Sequence, residues 1–226
     1  MLTLTQAKPF TSGSDRAVPP PAGLENSSDA LSLMGAPMTF SRNEEIYGES
    51  EPADYLYKVV SGAVRTYRVL DDGRRQIIAF HLPGDMFGME FGDAHRCSAE
   101  AIGSVTVRVL KRSAVLALAD RDSDASRQIW EMTARELQRA QDHTLLLIKT
   151  AEERLAYFLM EMHSRLSARN EVNLPMPRQD IADYLGLTIE TVSRMFTQFE
   201  HASTIGLSGS RRIVLRDRAA LNRLSA

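Results

Sequence analysis

Hydrophobic and polar positions change their period twice along the chain. Residues 1–30 show almost no period: Pro9, Pro19, Pro20, Pro21, Gly13 and Gly23 lie among many Ser and Thr. Such a stretch cannot bury enough apolar surface to offset chain ordering, so it reads as a mobile N-terminal tail. From Met38 to Lys111 short runs rich in Val, Ile, Tyr and Phe alternate with turn residues. Residues 54–61, 63–70, 76–82 and 105–111 are strand candidates, punctuated by Gly48, Gly62, Gly73, Gly84, Gly92 and Gly103. Asp71-Asp72-Gly73 is a hairpin signal, because a primed turn needs residues that tolerate positive φ. Pro83-Gly84-Asp85 is a further reverse turn. Short strands at this spacing, with no helical period between them, predict an antiparallel β-barrel or jelly roll over residues 31–121.

The period then becomes helical. Residues 113–119 form a short apolar helix candidate. Residues 124–150 contain no Gly or Pro. Trp130, Thr133, Leu137, Ala140, Thr144 and Leu147 recur there in alternating steps of three and four, a coiled-coil-like seam. One reading is a core helix packed on the barrel. The other is a dimerisation helix over residues 122–150, favoured because about 27 residues span roughly 40 Å, too long for one small barrel to cover. Residues 151–166 give a second amphipathic helix, and residues 167–173 a polar connection.

Residues 178–199, RQDIADYLGLTIETVSRMFTQF, carry the densest information. Ile181, Ala182 and Leu185 give a short helix an apolar face, Gly186 supplies a left-handed turn, and Leu187 packs under the corner. Thr188 is an N-cap candidate for a second helix that buries Val192, Met195 and Phe199. This is the pattern of a helix-turn-helix, whose second helix enters the DNA major groove. The exposed face of that helix holds Ile189, Glu190, Ser193 and Arg194. Arg suits bidentate pairing with guanine, Glu accepts from cytosine N4, and Ile contacts a thymine methyl. The plainer alternative is an αα-hairpin in which Glu190 and Arg194 form a surface i,i+4 ion pair. Two features favour DNA. Arg178 opens the first helix where phosphate would lie. Residues 204–207, a Ser-Gly-Ser turn and residues 211–215 read as a β-hairpin wing, giving a winged helix-turn-helix domain over residues 151–226. Arg178, Thr188, Thr191, Arg211 and Arg212 are the phosphate-contact candidates, and such contacts supply much of the affinity for DNA.

Composition narrows the classes. The 226 residues carry 27 Lys+Arg against 29 Asp+Glu, a net charge of −2, which argues against wholesale nucleic-acid coating but not against a local basic patch. The single cysteine, Cys97, rules out a disulfide framework, a Cys-rich zinc site and an iron–sulfur cluster held within one chain. No apolar run reaches membrane-spanning length and no secretory leader is evident, so a cytoplasmic protein without a membrane partner is expected.

Barrel, long helix and winged helix-turn-helix, in that order, resemble the CRP/FNR family of bacterial transcription regulators over residues 38–226. The FixK-type branch is the nearest in pattern: GRRQIIAFHLPGDMFG (73–88), SAEAI (98–102) and LPMPRQDIADYLGLTIETVSR (174–194) carry the similarity. Glu190, Ser193 and Arg194 match that branch's E-x-x-S-R recognition pattern. The resemblance implies an α+β chain with a cyclic-nucleotide-binding-like barrel. It also implies a homodimer that reads a TTGA-N6-TCAA-like palindrome in double-stranded promoter DNA and acts on RNA polymerase, as an activator of low-oxygen or nitrogen-fixation genes.

Effector chemistry can be tested against the same residues. Cyclic-AMP-binding relatives use a Gly-Glu pair and an Arg-Ser/Thr-Ala run. Here Glu90 and Arg96 are each displaced by one position, and a one-residue slip on a strand reverses the side-chain face. No cofactor and no metal is therefore expected, and activity without a small-molecule effector is the preferred reading. An effector-dependent regulator is the alternative. Cys97 reads either as an inert small hydrophobe or as a thiol whose pKa neighbouring Arg96 would lower. A rival from another class is a cupin-like metalloenzyme using His81, Glu90 and His95. It lacks the close H-x-H pair and leaves the helix-turn-helix unexplained, so no catalytic residue is assigned.

Overall fold

Alternation in the first half sorts side chains onto two sheets. The computed structural model describes residues 34–166, 170–209 and 211–225, so the expected tail over residues 1–30 lies outside the described residues. One four-stranded antiparallel sheet has the order β1 (Ala36–Phe40), β8 (Val105–Lys111), β3 (Tyr55–Ser61), β6 (Met86–Phe87). The other runs β2 (Glu45–Tyr47), β7 (Ser98–Ala101), β4 (Val64–Val69), β5 (Arg75–His81). Tyr57, Val59, Val64, Val105 and Val107 point between them, joined by Phe40, Tyr47 and Phe87. The expected antiparallel β-architecture is the one found, and its four longer strands end within one residue of their sequence-based limits. Strands β1, β2, β6 and β7 were not legible, since two to five residues are too few to establish an alternation. Gly62 turns β3 into β4 at φ 83°, where a Cβ would lie 2.5 Å from the Ser104 carbonyl oxygen.

Helix α1 (Arg112–Ala119) leads into α2 (Ser123–Leu146), capped by the Asp122 carboxylate on the Asp124 and Ala125 N–H groups. The long helix stops at Leu146, short of the expected residue 150, for a local reason. Thr150 and Glu153 form a capping box: Glu153 Oε2 accepts the Thr150 N–H at 2.7 Å, and Thr150 Oγ1 accepts the Glu153 N–H at 3.4 Å. An N-cap residue is not helical, so α2 cannot run through it, and α3 (Ala151–Leu166) starts immediately after. On α2, Ile129 and Met132 pack toward the barrel, whereas Trp130 and Leu137 are 73% and 59% exposed.

The second half adds α4 (Arg178–Leu185), α5 (Ile189–His201) and α6 (Arg218–Ser225). Its three-stranded sheet has the order β10 (Ile205–Ser208), β11 (Arg212–Leu215), β9 (Glu171–Asn173). Strand β9 corrects the expectation of an unstructured connection over residues 167–173: Val172 is buried opposite Ile213 in an antiparallel register. One apolar side chain between polar neighbours is no periodic signal, and only its pairing partner makes it a strand. A single apolar cluster joins the halves, running from Ile77, Phe80 and Leu82 of the barrel to Phe158, Ile181 and Phe196. Phe158 is fully buried at its centre, and truncation there to Ala should cost about 3–5 kcal/mol.

Candidate nucleic-acid interface

The helix–turn–helix corner is built as its residue types require. Gly186 ends α4 in the left-handed conformation at φ 63°, and the Leu187 N–H returns to the Ala182 carbonyl at 3.0 Å. Thr188 caps α5 by accepting the Thr191 N–H at 3.3 Å. Val192, Phe196 and Phe199 form the buried face of α5, with Met195 only partly covered. Phe196 takes the central place the sequence reading gave to Met195, because the face of a 3.6-residue period drifts by one position over two turns.

Ile189, Glu190, Ser193 and Arg194 lie together on the exposed face of α5. Glu190 and Arg194 do not form the i,i+4 ion pair of the plainer alternative. Arg194 Nη2 instead meets Thr191 Oγ1 at 3.5 Å, a long and weak contact. The Glu190 carboxyl is held below its ordinary value by its own backbone N–H and the Thr188 hydroxyl at the helix N-terminus.

The phosphate candidates differ in commitment. Arg178 is half-buried, with its guanidinium carbon 3.1 Å from the centroid of the Phe196 ring and a buried Nη1 that has no hydrogen-bond partner. Burial lowers its pKa to about 10, which leaves it charged at neutral pH. It is a cation held against a ring beside the corner with donor capacity unspent. Thr188 is exposed and Thr191 half-buried. Arg211 is exposed, whereas Arg212 is paired across the wing with Glu171, its Nη2 donating to Oε2 at 2.9 Å and its Nε to Oε1.

A second set of charges escaped the sequence reading. Asp180, on the inner side of α4, is 1% exposed, and each of its carboxylate oxygens meets a different arginine of the barrel. Arg65 of β4 reaches Oδ2 and Arg75 of β5 reaches Oδ1, both at 2.5 Å. Arg65 is also held by Glu100 at 2.5 Å, and Arg75 by Asp183 at 2.8 Å. Gln76 Nε2 donates to the Asp183 carbonyl at 2.7 Å. His143 of α2 stacks on Tyr184 with centroids 4.1 Å apart, and its Nε2–H donates to the Tyr184 carbonyl at 2.8 Å. Nearby, Asp85 accepts from Arg165 at 2.6 Å and Arg139 at 3.0 Å. Burial alone would raise the Asp85 carboxyl, but these arginines and the Leu82 N–H hold it below its ordinary value. The first helix of the motif is thus gripped by the β4–β5 hairpin and by α2. No short-range pattern signals this, since the pairs lie more than a hundred residues apart.

The barrel candidates fall apart as one site. Glu90 Oε1 accepts the Arg96 backbone N–H at 3.2 Å and faces His95 Nδ1 at 3.6 Å. His81 lies elsewhere, 3.2 Å from the Thr66 hydroxyl and 3.7 Å from Glu136 of α2. Among the described residues no three His, Cys, Asp or Glu side chains gather in a metal-holding group. Burial, then Glu90, pushes the Cys97 thiol up to about 11. That corrects the expectation of a thiol activated by Arg96, because desolvation outweighs any nearby cation.

Comparison with known proteins agrees with this arrangement. The chain matches the Crp-like helix-turn-helix domain over residues 153–224 and the cyclic nucleotide-binding domain over residues 37–122. It is 49% identical to the nitrogen fixation regulation protein FixK of Azorhizobium caulinodans over 202 residues, covering 87% of this chain and 82% of that protein. With the FixK of Rhizobium meliloti it shares 42% identity, over 82% of this chain and 85% of the relative. The solved structure of FixK2 from Bradyrhizobium japonicum superposes with a TM-score of 0.82 at 54% identity, covering 86% of this chain and 98% of that one. A barrel of the cyclic-nucleotide-binding type followed by a Crp-like helix-turn-helix, with these relatives, makes the chain a member of the CRP/FNR family of dimeric, DNA-binding transcription regulators and not an enzyme.

Proposed function

We propose that the chain is a FixK-type activator that binds as a homodimer to a TTGA-N6-TCAA-like palindrome and acts there on RNA polymerase. The carrying observation is the face of α5, where Ile189, Glu190, Ser193 and Arg194 are exposed and not paired with one another, while the opposite face is locked in the core. Arg194 reads the guanine of each half-site, and Glu190 the adjacent base pair. Ser193 and Ile189 complete the readout. Arg178, Thr188, Thr191 and Arg211 meet phosphates, and Arg212 does so by exchanging the Glu171 carboxylate for a phosphate oxygen. The dimer runs parallel along Trp130, Thr133, Leu137, Ala140, Thr144 and Leu147, which sets two recognition helices in two-fold register. The names of its FixK relatives support nitrogen fixation as the process controlled, in the cytoplasm.

DNA binding needs no small-molecule ligand in this reading. Between the sheets Tyr47 stacks on His95 at 3.6 Å, and Phe87 on Tyr57 and His81 at 5.2 and 4.9 Å, so side chains occupy the barrel interior. Glu90 is turned back onto its own loop. The test is a binding titration on the palindrome and on a copy altered at the guanine, without and with cyclic AMP. Strong discrimination that cyclic AMP leaves unchanged is expected. Equal binding to both DNAs would sink the readout. A tenfold rise with cyclic AMP, about 1.4 kcal/mol of coupling, would sink effector independence.

A further inference from the structure

Phe91, in the loop between β6 and β7, is the most exposed large apolar side chain among the described residues. Its surroundings are nonetheless fixed. Arg112 donates Nη1 to the Gly92 carbonyl at 2.6 Å and Nη2 to the Phe91 carbonyl at 3.4 Å. Glu90 folds inward onto the Arg96 N–H, and its own N–H bonds the Gly88 carbonyl at 3.1 Å. Met89 packs with Met86, Val115, Ile129 and Met132, and its sulfur lies 4.0 Å from the Thr133 hydroxyl. The loop therefore holds a phenyl ring out into solvent beside the seam of α2, where it forgoes its hydrophobic stabilisation unless something covers it.

What covers it follows from the faces of α2. Ile129, Met132 and Glu136 turn toward their own barrel. Trp130, Thr133 and Leu137 form the exposed seam beside them. Ala134 lies on the far flank, exposed and away from its own barrel. A two-fold axis along the seam brings that far flank opposite the partner's near flank, at the 8–10 Å axis spacing typical of packed helices. The ring beside Thr133 then meets the small side chain of the partner's Ala134, next to the partner's Trp130. We infer that Phe91 is a cross-subunit anchor: each barrel grips the α2 helix of the second copy through this ring, extending the dimer interface beyond the helical seam. Rigidly presented aromatic rings at interface edges are the residues that most often dominate association. The inference rests on the seam assignment above.

Sedimentation equilibrium of the full chain tests it, with Leu137→Glu as the reference for the seam. Phe91→Asp should raise the dimer dissociation constant by about thirtyfold or more, and Phe91→Leu by much less. Because the ring touches nothing in its own chain, circular dichroism and the barrel fold should be unchanged. In a Cys97→Ser background, Phe91→Cys with Ala134→Cys should give a covalent dimer on oxidation, and neither single variant should. If Leu137→Glu dissociates the dimer while Phe91→Asp does not, or if Phe91→Asp weakens it but no covalent dimer forms, the anchor is overturned and the seam stands. If Leu137→Glu remains fully dimeric, the seam assignment itself fails and the anchor with it.

Discussion

Helices α4 and α5 are neighbours in one motif, and both carry acidic and basic side chains, yet they spend them in opposite directions. Asp180 and Asp183 of α4 point inward and are neutralised by Arg65 and Arg75 of the barrel. Glu190 and Arg194 of α5 point outward and are not paired with each other. A buried charge network stabilises little overall but is costly to break, and it fixes one geometry. An uncommitted exposed charge contributes almost nothing to the fold and is free for a ligand. The first helix is a bracket to the barrel and the second is a reading head. Charge count alone does not separate the two roles.

Four measurements sharpen or break that contrast. The largest effect is expected for Arg194→Ala. Loss of a bidentate base contact costs roughly 1–3 kcal/mol per half-site and is felt twice in a dimer, so specific binding should vanish while the melting temperature stays near that of the parent. Retained discrimination between the palindrome and its guanine-altered copy would break the assignment. Asp180→Ala should do the reverse. It leaves Arg65 and Arg75 facing a cavity without their shared anion, a loss of about 3–5 kcal/mol of stability by urea unfolding. The base preference of whatever remains folded should be unaltered.

Arg178→Ala tests the residue between the two roles. With its guanidinium on Phe196 and one nitrogen unpartnered, it should weaken all DNA sequences alike. The slope of log affinity against log salt should flatten by about one ion per contact. A sequence-dependent loss would place it among the base readers instead. The smallest effect is one of pH. Burial holds His143 below its ordinary 6.5, outweighing the raising influence of the Tyr184 carbonyl and Glu161. The folded chain then binds fewer protons than the unfolded one, so stability is complete above about pH 6.5 and is lost as pH falls through the lowered value. His143→Gln should flatten that part of the urea-midpoint profile between pH 7.5 and 5.5 without altering base preference at pH 7.5.

Local devices were legible wherever one residue type has one physical use. Gly186 sits in the left-handed turn, Thr188 caps α5, and the apolar stripe of residues 151–166 is α3 to the residue. Boundaries failed where two signals competed. The helical run to residue 150 hid a capping box at Thr150 and Glu153, which ends α2 at Leu146. Strand β9 and helix α6 lay in stretches read only as polar or basic.

By itself the sequence determined the succession of sandwich, long helix and helix-turn-helix, together with the outward face of α5. Those depend on periodicity and caps, which act over a few residues. Only the tertiary structure decided that Asp180 is a bracket to the barrel, that Arg178 lies on Phe196, and that Phe91 stands uncovered beside Thr133. Each depends on surfaces brought together from distant parts of the chain, where burial sets the worth of a charge or a ring, and no local pattern carries that information.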